Sequence, residues 1–183
     1  MAAATLEKRA LPAEIRVRGR RLEGYAATFD NRASIGGRFV ETIARGAFAA
    51  SLRSQGDTLA LVDHDPGRVL ARTRSGTLRL GEDTRGLSFD LDVPDTSAGR
   101  DVLALAERGD LGGMSFGFTA IDEHRDGDQR ELRAVELHEI SVVLAWPAYD
   151  GTVIHARHGG HGKAVGPYVA YAERALRILE LSR

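Results

Sequence analysis

The chain has no cysteine. This removes disulfides, thiolate metal sites and a cysteine nucleophile, and it fits a reducing compartment. No apolar run approaches the roughly 20 residues a membrane helix needs. Met1 to Arg9 carries alanines and basic residues but no apolar centre of a secretion signal, so a soluble intracellular protein is expected. A strong charge of either sign is also missing. The formal net charge is -1, and no overall field draws the chain to nucleic acid or to an anionic membrane. No segment repeats at a fixed period. What remains is an ordinary globular composition, 43% hydrophobic and 28% charged over 183 residues, enough for one domain with a real core.

The patterning divides the chain into a flexible N-terminal tail over 1–14, a main domain over 15–154, a glycine- and histidine-rich linker over 155–166, and an amphipathic helix over 167–183. Within the domain, short strand-like pieces at Ile15, Val17 and Leu22 to Phe29 lead to a helix over Arg45 to Leu52. Leu59 to Val62 is an apolar strand running into Asp63-His64-Asp65-Pro66-Gly67, where proline and glycine predict a turn behind His64. Leu87, Phe89, Leu91 and Val93 alternate with Ser88, Asp90 and Asp92, so one face is buried and one is wet. With Val69 to Ala71 and Thr77 to Leu80, this predicts an antiparallel meander. Pro94 to Ser97 starts a helix that Gly109 stops. Arg130 to Leu144 returns as one or two strands, with a kink near Leu137-His138. Strands follow one another across short turns, so the expected fold is α+β and mainly β: an antiparallel sheet or barrel with helices packed outside.

Gly112-Gly113-Met114-Ser115-Phe116-Gly117-Phe118 is the stretch with chemical interest. Glycines on both sides of Ser115 clear space for a close approach. A serine nucleophile needs a base, normally histidine, and a third group to fix the imidazole tautomer. Of six histidines, His155, His158 and His161 lie in the glycine-rich linker and His124 opens a polar loop. His64 stands at a strand end, and His138 sits on a strand directly before Glu139. Each has a plain structural reading as well. Ser115 fits a small residue at a bulge, and His64 fits a turn cap or a weak metal ligand with Asp63 and Asp65. Glu139 fits the wet face of a strand, and Ser141 a residue facing solvent or core. Asp63 and Asp65 are poor orienters of His64, because neighbours on a strand point to opposite faces.

Taken together and in order, several segments resemble the prohead protease family of tailed bacteriophages, related in fold to the herpesvirus maturation protease. They are Gly24 to Phe29, Phe39 to Ile43 with Gly46-Ala47-Phe48 and Leu52, Leu61 to Pro66, Gly86 to Phe89 with Ala98 to Arg108, Leu111 to Phe118, and Glu136 to Val143 followed by Pro147-Ala148-Tyr149. The resemblance implies Ser115 as nucleophile, His64 as general base and Glu139 as the group orienting His64. His138 is the alternative third member, since the herpesvirus relatives use a second histidine there. It further implies a serine endopeptidase without cofactor or metal, housed in the host cytoplasm inside the immature capsid of a phage or phage-like particle. It would cleave the scaffolding segment of the major capsid protein, and itself. The implied partners are that capsid protein and further copies of the chain as a homodimer or higher homo-oligomer, with no direct nucleic acid and no membrane. An inactive assembly protein of the same fold and a small-ligand-binding β-barrel stand as alternatives.

Overall fold

The computed structural model describes residues 5–145 apart from 12, 14 and 55. In chain order they form β1 (Glu7–Leu11), β2 (Ile15–Arg18), β3 (Arg21–Thr28), β4 (Ala33–Ile35), β5 (Phe39–Ile43) and a short helix α1 (Ala49–Arg53). Then come β6 (Leu59–Val62), β7 (Asp65–Arg72), β8 (Leu78–Glu82), β9 (Gly86–Asp92), helix α2 (Ser97–Arg108), and the long strands β10 (Gly113–Asp126) and β11 (Gln129–Val143). The Trp146 to Tyr149 segment, the linker with His155, His158 and His161, and the helix expected over 167–183 lie outside the described residues. Among the described residues no helix is long and apolar enough to cross a membrane.

β11 organises the larger, seven-stranded sheet. One of its edges pairs antiparallel with β10, which pairs in turn with β1. Its other edge is served by one continuous stretch of chain running parallel to it. β5 pairs with Gln129 to Leu132, and β6 pairs with Glu139 to Val142. Between them the α1 region fills the gap: Val135 N–H donates to Ala47 O at 3.0 Å and Leu137 N–H to Ser51 Oγ at 2.9 Å. The strand therefore keeps its backbone donors satisfied while the pairing strand is interrupted. β4 closes one end by pairing with β5, and β7 pairs with β6.

The second sheet is antiparallel, in the order β2-β3-β9-β8. Leu87, Phe89 and Leu91 of β9 are buried, as their alternation predicts, and pack in one core with Met114, Phe116, Phe118, Ile140 and Val142 of the larger sheet. On the wet face Arg79 bridges Asp90 and Asp92. α2 begins where the sequence places it. Thr96 accepts from Gly99 N–H at 3.2 Å, and Gly109 ends the helix at φ 74, a left-handed conformation open to glycine at no steric cost. α2 packs against β2 and β7, and α1 against β11 and β8.

Three expectations change. The fold is mainly β with two helices, but the larger sheet is mixed, and among the described residues no pairing closes either sheet into a barrel. The meander loses its first strand, because β7 pairs back onto β6 and only β8 and β9 stay together. The tail over 1–14 contains a strand: Glu7 to Leu11 pair residue by residue with Phe118 to Met114. β1 is held by charge as well as by its ladder. Arg9 donates to Glu41 at 2.6 Å, and Arg130 donates to both Glu7 and Glu41.

Candidate active site

Two rows of residues cross four strands of the larger sheet. Leu61, Ser141, Ser115 and Ala10 are successive partners on β6, β11, β10 and β1; Leu59, Glu139, Gly117 and Lys8 form the next row. Partners across a sheet put their side chains on one face. Here it is the face opposite Phe116 and Ile140, hence away from the core. Ser115 and Glu139 are diagonal neighbours on that face, about 7–8 Å apart at the backbone by ordinary sheet geometry.

His64 comes from a turn. Val62 pairs with Asp65, so Asp63 and His64 are the two central residues of a hairpin, with φ 49 and 61. Both positive values are what a type I′ turn requires, and aspartate and histidine are among the few side chains that adopt them. The expected turn at Pro66-Gly67 is instead the start of β7, an edge strand that tolerates proline. The hairpin is pinned to β11, because Asp63 N–H donates to Val142 O at 3.0 Å and Leu144 N–H to Asp63 Oδ1 at 2.9 Å. Asp63 and Asp65 thus serve the turn. Asp65 Oδ1 accepts from Gly67 N–H at 2.8 Å. Among the described residues no three metal-binding side chains converge.

From this turn, at the level of Val142, the imidazole reaches back so that Nδ1 meets Glu139 Oε1. An ionised carboxylate only accepts, so Nδ1 carries the proton and Nε2 is left as the basic nitrogen. The row that holds Ser141 and Ser115 lies between those two levels along the strands. Burial pushes the Glu139 carboxyl up. The hydrogen bond of His64 and its charge when the ring is protonated, with the Lys8 ammonium and the Ser141 hydroxyl, outweigh it and hold the carboxyl below its ordinary value.

Gly117 makes room for this acid. A Cβ there would stand 2.7 Å from both Cγ and Oε1 of Glu139, far inside contact distance. The glycine beside Ser115 therefore clears space for a side chain, not for an approaching backbone.

Ser115 is fully buried, and its Oγ donates to the carbonyl of Arg9 on β1 at 2.8 Å. Among the described residues it has no hydrogen bond to His64. His138 is on the same face as Glu139. The pairing register shifts between Gly117 and Phe118, so His138 and Glu139 together oppose Gly117. Such a bulge suspends strict alternation and accounts for the kink expected near Leu137-His138. His138 Nε2 shares a 2.8 Å hydrogen bond with Thr119 Oγ1, which leaves Glu139 as the acid against His64. His124 lies on the exposed end of β10.

Ser141, expected to face solvent or core, has a partner that its sequence neighbours do not reveal. It is fully buried, opposite Ser115, with Oγ donating to Glu139 Oε2 at 3.3 Å. Its i+2 spacing from Glu139 places both on one strand face, which was the only signal available.

An imidazole paired with a carboxylate, on a sheet face that also carries a buried serine, supplies the three residue types a serine hydrolase uses. The sequence profile of the caudovirus prohead serine proteases matches residues 9–164. The chain belongs to the caudovirus prohead serine protease family. Among solved structures, this prohead protease family member resembles the capsid assembly protease of bacteriophage T4, with a TM-score of 0.55 and 11% identity over 80% of this chain and 99% of that one. At that identity the likeness is one of fold. No curated protein matches the chain.

Proposed function

We propose that the protein is the serine endopeptidase of prohead maturation, cleaving the scaffolding segment of the major capsid protein and then itself inside the immature shell. The observation that carries this reading is the His64–Glu139 pair, whose acid is a diagonal neighbour of Ser115 on one face of the sheet. In the proposed reaction, Ser115 Oγ turns from the Arg9 carbonyl to His64 Nε2, which takes its proton as Oγ attacks the scissile carbonyl carbon. Glu139 holds the imidazole and balances the imidazolium charge. His64 then returns the proton to the leaving amine. Water, activated by the same nitrogen, releases the acyl group from Ser115. The residues of this site suffice without a metal or cofactor.

One observation favours a second reading, an assembly protein that keeps the fold without the chemistry: the Ser115 hydroxyl is buried and already engaged with β1. Co-expression with the major capsid protein separates the two. The peptidase reading expects Ser115→Ala to abolish processing on a gel, and a serine-directed covalent probe to label the native chain at position 115 but not a His64→Ala chain. Processing that persists in Ser115→Ala overturns it. No processing and no labelling by the native chain point to the inactive protein.

A further inference from the structure

We propose that Ser141 is a positioning residue of this site, fixing the plane of the Glu139 carboxylate so that its other oxygen stays aimed at His64. The inference rests on the peptidase reading above. The terminal torsion of a glutamate is broad and roughly two-fold, so one hydrogen bond at Oε1 does not determine where the carboxylate faces. Ser141 supplies the second point. Its Oγ lies 3.3 Å from Oε2, while Nδ1 of His64 meets Oε1. Among the described residues this is the only side-chain hydrogen bond of Ser141, and the residue is fully buried. A buried hydroxyl without a partner is costly, so the geometry ties Ser141 to Glu139.

Its place in the sheet gives the contact its consequence. Ser141 is the direct partner of Ser115 on one side and of Leu61, three residues before His64, on the other. Its row lies between that of Glu139 and the hairpin that carries His64. Gly117 bounds the carboxylate on the next strand, so the acid is confined by a missing side chain on β10 and a hydroxyl on its own strand. Without the hydroxyl the carboxylate keeps its charge but can turn, and Nε2 is then aimed less well at Ser115.

The test compares Ser141→Ala, which removes only the hydroxyl, with Ser141→Thr, which keeps it. The full chain is assayed on purified major capsid protein carrying its scaffolding segment. Ser141→Ala is expected to lower kcat about tenfold or more, as for a lost hydrogen bond to a charged group, with KM and melting temperature little changed. Ser141→Thr is expected to restore most of the rate. A structural role would not move the His64 Nδ1–H proton resonance, which is expected to shift or broaden in Ser141→Ala alone. Native kcat and an unmoved resonance in Ser141→Ala overturn the proposal. So does a lost rate that comes with a lower melting temperature and an unmoved resonance, since the hydroxyl would then serve packing. If the threonine does not fit, the alanine rate and the resonance decide. Glu139→Gln and Ser115→Ala run alongside. If both still process the capsid protein, the peptidase reading has failed; if both are dead and Ser141→Ala is native, only the role of Ser141 has.

Discussion

Glu41 and Glu139 are buried to nearly the same degree, 2% and 7% exposed, on strands of the same sheet, yet they face different partners. Glu41 accepts from two guanidiniums, Arg9 at 2.6 Å and Arg130 at 2.9 Å, with Arg9 lying over the Phe118 ring on the core side. Glu139 accepts from an imidazole and a hydroxyl on the other face. Guanidinium keeps its proton at any working pH, so the two positive partners of Glu41 are permanent and hold β1, β5 and β11 together. Imidazole presents a donor at one ring nitrogen and an acceptor at the other, so Glu139 meets a partner that, unlike guanidinium, has a second nitrogen able to accept. A buried acid is therefore read by the partner it faces, not by its burial.

The largest expected effect is on the reactive side. Glu139→Gln is expected to lower kcat by on the order of a thousandfold to ten-thousandfold, as when the acid of a triad becomes an amide, with a fall in melting temperature well below that of Glu41→Gln. A comparable loss of melting temperature would make Glu139 a structural acid like Glu41. The mirror experiment is Glu41→Gln. Losing one partner of a buried pair costs about 3–5 kcal/mol, which denaturant unfolding would register, while the rate per folded molecule stays native. Gly117→Ala presses a methyl into Glu139 and is expected to slow turnover by roughly tenfold to a hundredfold by misplacing the acid. Rescue by a shorter acid, Glu139→Asp in the same chain, would sharpen the assignment.

Acid gives a smaller test of both sites at once. Glu139, Glu7 and Glu123 all have carboxyls held below the ordinary value of 4.5. For Glu7 and Glu123 the leading cause is an arginine hydrogen bond, from Arg130 and Arg125 respectively. Groups lowered on folding stabilise the native state fully above their unfolded value, and that contribution is lost as pH falls through the folded values. The melting temperature is thus expected to be level with respect to these groups above their ordinary value and to fall below it. In Glu139→Gln the acid slope should be shallower by the share of one proton. The smallest effect belongs to Thr96→Ala, a lost helix cap away from both acids, expected to cost about 1 kcal/mol in thermal unfolding and nothing in rate.

Local signals carried much of the fold into view before any coordinates. The alternation of β9, the Thr96 and Gly109 ends of α2, and the kink at His138 all follow from neighbours in sequence. What escaped depends on distant partners. β1 reads as a charged tail because its counter-ions, Glu41 and Arg130, are 32 and more than a hundred positions away. The parallel pairings of β5 and β6 with β11 leave no periodic mark, so they cannot be told from antiparallel ones by pattern alone. At the site, family likeness implies Ser115, His64 and Glu139 with His138 as the alternative, and pattern alone cannot show the bulge that puts His138 on the face of Glu139. The Pro66-Gly67 pair is a stronger turn signal than Asp63-His64, although aspartate and histidine tolerate the positive φ that the hairpin requires. Ser141 stayed hidden because a serine on an apolar strand shows nothing of the acid two places before it.

The pairing of β1 with β10 also bears on how any polypeptide can be read by this molecule. Ser115 belongs to an interior strand with both hydrogen-bonding sides taken, one by β11 and one by residues 7–11. A guest segment can lie across the outer face, or it can displace its host; it cannot simply extend the ladder next to the serine. The opening residues of the chain and an incoming strand compete for the same rungs. Editing the N-terminus is thus a direct way to reach a hydroxyl 106 positions along the sequence.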